Sequence, residues 1–524
     1  MTLLYPTAKL RLYLLFIIPI LFSCSKDKED PEPPAITVST SDFSATMDEK
    51  PQAGTSIGFV EGSTNLGAVT FSIMEQTPSA AISIDGASGE LKVADGSLFN
   101  FETNPVISAS VKVANGAVFK NASVNIHLKK IVEDKIYMGI VNLKTQAQVD
   151  AFGKEGYTHI SESVDIGGIL TGELSNISDL SALSSLVYIG EQMVIGLNPD
   201  LLNLKGLENI KFIGGQMMIL RNANLTTIES LGSIEDFNYG ILIAENPSLK
   251  NLEGLNFLKK VGYLRIDDNM SLQHINALSN LKEAYAIRIK DNKAITNIQG
   301  LQNLESLESD LVIKGNSSLQ NIMGLEGVKH LGVELDIAKN SLLENIDPLR
   351  NLTTFPTNIK IQDNPLLRSI SALKGMEYTN NLLIDNNPSL KNLDGLNDLR
   401  VVSYNLQIQN SNIQDLNPLS NLEYVQTMGI RNNPILENVD GLIKLGIATR
   451  NFRISNNNAL KNLDGLANLN FVDRDLTIIE NLSLNDFCGL QRLLLNNGVR
   501  GQYRVNDNAY NPTKQDIIDG NCRL

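Results

Sequence analysis

Isoleucine recurs at positions 195, 219, 243, 266, 289, 313, 337, 361, 384, 408, 430, 454 and 478, at intervals of 22 to 24 residues. Two residues before each stands another large apolar side chain, as in Met193, Met217, Leu264, Leu406, Phe452 and Leu476. An apolar, variable, apolar triplet predicts a short strand with one buried face. Three residues after the Ile comes an asparagine: Asn198, Asn222, Asn246, Asn269, Asn292, Asn316, Asn340, Asn364, Asn387, Asn433, Asn457 and Asn481. The turn at Ile408 is one residue short, so Asn410 falls a place early and Ser411 takes the slot. Each repeat closes on a motif such as Leu252-Glu253-Gly254-Leu255 or Leu463-Asp464-Gly465-Leu466, and its final Leu recurs from Leu207 to Leu490. The pattern predicts a coil that passes once per repeat through a parallel strand, bends at the Asn and returns through a Leu-rich segment. Stacked Ile and Leu then form one continuous core, and the buried Asn side chains bond the backbone amides left over at the bend. Thirteen such strands at a spacing of about 4.8 Å make a stack about 60 Å long.

Upstream the periodicity changes. Residues 35–131 carry short alternating runs, such as Val69-Thr70-Phe71-Ser72-Ile73 and Val111-Lys112-Val113, separated by Gly, Pro, Asn and Asp turns. That predicts a seven-strand β-sandwich of about 100 residues. Residues 1–23 read as an export signal, with Lys9 and Arg11 ahead of an apolar run from Leu12 to Phe22 that is too short for a comfortable membrane span. Residues 24–34 are charged and Pro-rich and form an extended tether. In the remaining segment, 132–524, the stretch Thr145 to Gly153 has an N-cap residue, apolar positions at helical spacing and a terminal Gly. It is expected to be a capping helix ahead of a first strand between Ile160 and Ile166.

Three resemblances sharpen this outline. Leu21-Phe22-Ser23-Cys24 resembles the lipobox of bacterial lipoproteins, which implies lipidation of Cys24 after removal of residues 1–23. The cluster Ser25-Lys26-Asp27-Lys28-Glu29-Asp30 then looks like the signal that carries Bacteroidota-type lipoproteins to the outer face of the outer membrane. In the sandwich, Asp48-Glu49-Lys50-Pro51, Ile84-Asp85 with Ser88-Gly89-Glu90-Leu91, and Phe99-Asn100-Phe101-Glu102 resemble a cadherin repeat in the right order. Cadherins hold calcium between repeats with clustered carboxylates. Glu49 and Glu102 keep that pattern and are the candidate calcium ligands, whereas Asn100 replaces an Asp and the exit Ile131 to Lys135 lacks the usual linker, so a spacer role is the expectation. From about Gly139 onward the chain resembles the leucine-rich-repeat, receptor L-domain-like region of Bacteroidota-type surface lipoproteins. The implied fold class is mainly β, a cadherin-like sandwich followed by a leucine-rich-repeat parallel-strand solenoid with a short N-terminal capping helix. With Cys24 consumed by lipid, Cys488 and Cys522 remain as an even pair in an exported protein, and a disulfide closing the C-terminal cap is expected.

Composition narrows the function. With 44 Lys+Arg against 58 Asp+Glu among 524 residues the chain carries −14, and loss of Lys9 and Arg11 with the signal brings it to −14 − 2 = −16. Such a balance argues against nucleic acid as a partner. His127, His159, His274 and His330 have no metal-ligand spacing, no nucleophile motif is visible, and no catalytic residue or cofactor is assigned. His274 and His330 are expected in exposed loops.

The strand position between each apolar pair should face solvent. It reads Val194, Met218, Leu242, Arg265, Arg288, Val312, Asp336 and Lys360 over the first eight turns. Arg265, Arg288, Asp336 and Lys360 are the candidate ligand surface, suited to an acidic glycan or a protein patch, beside an apolar patch of Val194, Met218 and Leu242. No aromatic ladder for sugars occupies that position. The expected function is a lipid-anchored, surface-exposed protein that binds an extracellular protein or glycan. The alternatives are a polysaccharide-processing enzyme or its accessory glycan-binding protein, and a structural envelope protein.

Overall fold

A computed structural model of the chain describes residues 34–131, 134–169, 172–232 and 234–524. The export segment, Cys24 and nearly all of the tether lie outside the described residues. The chain is mainly β and divides into two compact units between residues 132 and 133.

In the first unit alternation of apolar and polar residues sets two faces. Val118–Lys129, with every second residue buried from Ala122 to Leu128, pairs antiparallel with Val106–Asn115 and parallel with Phe43–Asp48. Thr70–Thr77 completes this four-stranded sheet. A three-stranded sheet of Ser56–Phe59, Glu90–Val93 and Ile82–Ile84 and a two-stranded pair, Val38–Thr40 with Gly62–Thr64, make nine strands instead of the expected seven. Phe99, Ile107, Val111, Ile126 and Leu91 fill the core between them.

The second unit is built on one sheet of 20 strands running from Val141–Leu143 to Tyr503–Asn506, with every pairing parallel. The isoleucines stand in register, Ile195 against Ile219 and Ile313 against Ile337, and are fully buried. Many return segments carry a short 3-10 turn such as Asp464–Leu466, whose Leu completes the core. A second asparagine column opens the return segments: Asn392, Asn438 and Asn462 accept the amides of Asp394, Asp440 and Asp464 through their side-chain oxygens.

The bend depends on two linked features. The residue just before each Asn takes a left-handed conformation, with φ between 52° and 59° at residues as different as Leu197, Arg221, Lys339, Asn386 and Asp507. Gly315 holds the same place in its coil with φ 71°. This sharp turn aims the following Asn inward, where its amide nitrogen donates to the Ile carbonyl of the coil before. Asn364 Nδ2 bonds Ile337 O at 2.9 Å, and the Asn364 backbone N–H donates to Asn387 Oδ1 at 3.1 Å. The same two bonds recur along the stack, so every ladder Asn is buried without an unmet donor. Ser175 starts the ladder, its hydroxyl donating to Asn198 Oδ1, and Asn508 ends it by accepting the Asn481 N–H. At Ser411 the ladder is interrupted. The Asn387 amide finds Ser411 Oγ at 3.2 Å, but buried Asn433 Oδ1 is left with no donor.

The ends differ from the sequence expectation in three ways. The helix Gln146–Lys154 has Thr145 as N-cap with a Gln148 capping box, but a strand of the main sheet, Val141–Leu143, precedes it. The left-handed residue after the helix is Gly156, φ 64°, while Gly153 is needed elsewhere: a Cβ there would stand 2.3 Å from the Ala182 carbonyl oxygen. At the far end a fourteenth coil continues the repeat, with Val505 paired to Ile478. It escaped the sequence pattern because the helix Gln491–Leu495 lengthens the interval and Val replaces Ile. Cys488 and Cys522 are joined as a disulfide that ties this cap to the turn before it, and Cys522 is buried in the core.

Replacing Asn364 with Ala should lower stability by about 1–3 kcal/mol, the cost of leaving buried amide groups unpaired. A denaturation midpoint equal to wild type would refute the ladder's role. The left-handed row makes a second prediction at exposed Lys339. Lys339→Gly should raise stability by up to about 1 kcal/mol by relieving the conformation, and Lys339→Val should lower it by about 1 kcal/mol or more, both read from urea midpoints.

Candidate functional site

The four candidate residues all lie on the main sheet, but the structure separates them into two pairs. In register, Arg265 stands beside Arg288, Arg288 beside Val312, Val312 beside Asp336 and Asp336 beside Lys360. Val312 therefore divides the basic pair from the Asp336–Lys360 pair.

The basic pair converges on a carboxylate that the sequence reading missed. Asp267, two residues after Arg265 on the same face, is buried and accepts from Arg265 Nη2 at 3.0 Å and from Arg288 Nε at 3.2 Å. Fixing two guanidinium groups on one buried carboxylate restricts their rotamers and leaves their remaining N–H donors directed away from it. They line a cleft of about 480 Å³ whose other walls include Leu197, Leu220, Leu242 and the Arg221–Glu245 ion pair. Four cations, Arg221, Arg265, Arg288 and Lys290, meet three carboxylates, Glu245, Asp267 and Asp268, among its lining residues, and Lys290 is also 3.2 Å from Asp291 beside the cleft. Of the expected apolar patch, Leu242 lines the cleft, while Val194 is buried.

The second pair is self-compensated. Asp336 is buried, not solvent-facing, with Lys314 Nζ 3.8 Å from its Oδ2 and no donor on its Oδ1. Burial pushes its carboxyl above the ordinary aspartate value, and Lys314 partly opposes this. Lys360 bonds Glu334, which holds its ammonium above the usual lysine value.

The other expected residues have structural partners. Glu49 is buried and accepts the backbone N–H groups of Phe101 and Ile131, each at 2.9 Å. The Phe101 amide holds its carboxyl below the ordinary range. Glu102 pairs with Lys130, and Asn100 accepts the amides of Glu102 and Thr103. Both calcium candidates are thus committed to backbone or side-chain partners in this unit. Among the described residues one cluster has metal-ligand proximity, Asp486 with Cys488 and Cys522, and the disulfide removes both thiolates from it. His127 is exposed, but His274 and His330 are half-buried instead of lying in open loops, and His330 faces Glu308 at 3.8 Å.

Aromatic side chains supply what the strand position lacks. Tyr188 and Phe212, stacked at 4.7 Å, lie in a separate parallel sheet ahead of the main strands, and Tyr263 and Tyr285, 5.0 Å apart, lie on the shoulder formed by the first halves of main-sheet strands Lys260–Asp267 and Glu283–Lys290. Their offset from the Ile drifts between three and seven residues, which hid the row from a search at fixed spacing. Among the described residues no helix is long and apolar enough to cross a membrane.

Asp336 allows a pH prediction. A carboxyl raised in the folded state binds its proton more tightly there than in the unfolded chain, so the native state loses stability as pH climbs from near 3.8 through the raised value. Asp336→Asn should abolish that loss. Urea midpoints of the variant should gain on wild type between acid and neutral pH, and a constant difference would contradict the burial argument.

No protein-family profile matches the chain, and no curated protein matches it. Among solved structures it is similar to the human desmocollin-1 ectodomain at 17% identity, over 19% of this chain and 22% of that one, with a TM-score of 0.16. The protocadherin gammaB7 EC3-6 cis-dimer structure gives 16% identity over 20% of this chain and 30% of that one, TM-score 0.17. Human protocadherin-24 EC1-2 gives 11% identity over 20% and 49%, TM-score 0.16. The chain spans less than half the length of each of these cadherin ectodomain structures.

Proposed function

We propose that this chain is a lipid-anchored, surface-exposed outer-membrane protein, not an enzyme, that recognises an extracellular protein or glycan. In this reading Cys24 carries the lipid, a cadherin-like domain is the spacer, and a leucine-rich-repeat solenoid presents the binding face. The observation that carries it is the cleft at Arg265 and Arg288. A buried Asp267 fixes both guanidinium groups beside three leucines, which is the combination a ligand with an anionic group and an apolar body would require. Parallel coils stack this cleft on a continuous core, so its donors are held by rigid strands instead of loops.

The test has two arms. Protease shaving of intact producing cells, with a periplasmic protein as leakage control, should release peptides from residues 134–524; full protection would overturn surface display. The full chain should then bind at least one member of arrays of extracellular-matrix proteins and acidic glycans, with Arg265→Ala/Arg288→Ala weakening that binding at least about tenfold. Surface display without binding on either array would favour the structural envelope role, and turnover of an arrayed polysaccharide would favour the enzyme.

A further inference from the structure

A second cleft lies outside the arginine site, on the shoulder where the chain enters the main strand. Tyr285, Val261, Gly262 and Ala284 line its walls, and its volume is about 300 Å³. Gly262 is required there by the preceding coil: a Cβ would lie 2.0 Å from the Tyr239 carbonyl oxygen. Tyr263 braces the wall from 5.0 Å, and the rings remain accessible, with Tyr239, Tyr263 and Tyr285 exposed by 58%, 51% and 45%. Around the wall stand an amide, Asn238, a hydroxyl, Ser306, two carboxylates, Glu283 and Glu308, and one ammonium, Lys260.

We propose that this cleft is a subsite for an uncharged oligosaccharide. The C–H face of a pyranose ring packs against the negative face of an aromatic ring, while its hydroxyls need donors and acceptors at the edges. The cleft offers both in one place. A cationic ligand would also suit tyrosines flanked by carboxylates, but one of the two is already answered: Lys260 Nζ lies 3.1 Å from Glu283 Oε2, while Glu308 has the His330 ring 3.8 Å away. What these carboxylates have left to give is lone pairs, which hydroxyls use without a net charge. Tyr239 stands two coils from Tyr285, about 10 Å along the stack, so a short sugar chain lying across the coils can reach both.

This assignment rests on the recognition reading and narrows its ligand to glycan at a different place from the arginine cleft. Cellohexaose, mannohexaose and maltohexaose, with hexalysine as the cationic control, would be titrated calorimetrically into the full chain held in a detergent without a sugar headgroup. At least one hexasaccharide should bind, Tyr285→Ala should weaken it about tenfold or more, and Tyr285→Phe should stay within about threefold of wild type. Glu308→Gln, which removes no ring from the shoulder, should weaken binding several-fold at an unchanged melting midpoint and keeps the test valid if Tyr285→Ala does not fold. Absence of hexasaccharide binding, binding indifferent to both Tyr285→Ala and Glu308→Gln, or binding of hexalysine alone would overturn the proposal. Failure at the arginine cleft is read separately, from the arrays probed with Arg265→Ala/Arg288→Ala, so the two failures are distinguishable.

Discussion

A backbone that coils must turn inward once per coil, and the amide groups at that turn cannot reach water. Everything in the larger unit depends on how this debt of hydrogen bonds is met. The answer is one amide side chain per coil, which accepts from the coil on one side through Oδ1 and donates to that same coil's Ile carbonyl through Nδ2. Because both bonds join neighbours, each coil is completed by the next, and the strands are held in register without long-range contacts. The polar chain also runs through the apolar core, where its bonds polarise one another and an unmatched member is costly.

That rigid interior frees the surface to vary. On the strand face, residues at equivalent positions change from Leu242 to Arg265 to Val312 to Asp336 without altering the path of the chain. Charged groups there are mostly answered locally: Asp267 by two arginines, Glu334 by Lys360, Glu245 by Arg221. The resulting surface is a mosaic of matched pairs with two indentations, one basic and apolar, the other aromatic and polar. Adjacent but chemically distinct clefts suit a ligand that presents different groups along its length.

Legibility in the sequence followed burial and fixed offset. The parallel sheet could be read from Ile and its apolar partner because packing enforces their identity at constant spacing. The left-handed row could not, since Leu197, Lys339 and Asn386 share a backbone angle and no chemistry. The aromatic shoulder was hidden because Tyr263 stands three residues before its Ile and Tyr285 four. Asp267 is hidden for a different reason: it follows the Ile, outside the apolar, variable, apolar triplet that marks the strand. The four candidate residues were each placed on the right sheet, but only register could show that Val312 separates them into pairs and that Asp336 is buried.

The interruption at Ser411 gives the stack a seam. On either side the amide chain is continuous, but at this coil a hydroxyl receives from Asn387 and passes nothing on to Asn433. The loss is local, because Asn433 Nδ2 still bonds Ile408 O at 3.1 Å and the two strands stay paired at seven positions. The seam marks off the coils that carry both clefts from the shorter run sealed by the Cys488–Cys522 bridge. One orphaned acceptor there costs a hydrogen bond and no strand pairing, so both runs of coils stay parts of one sheet.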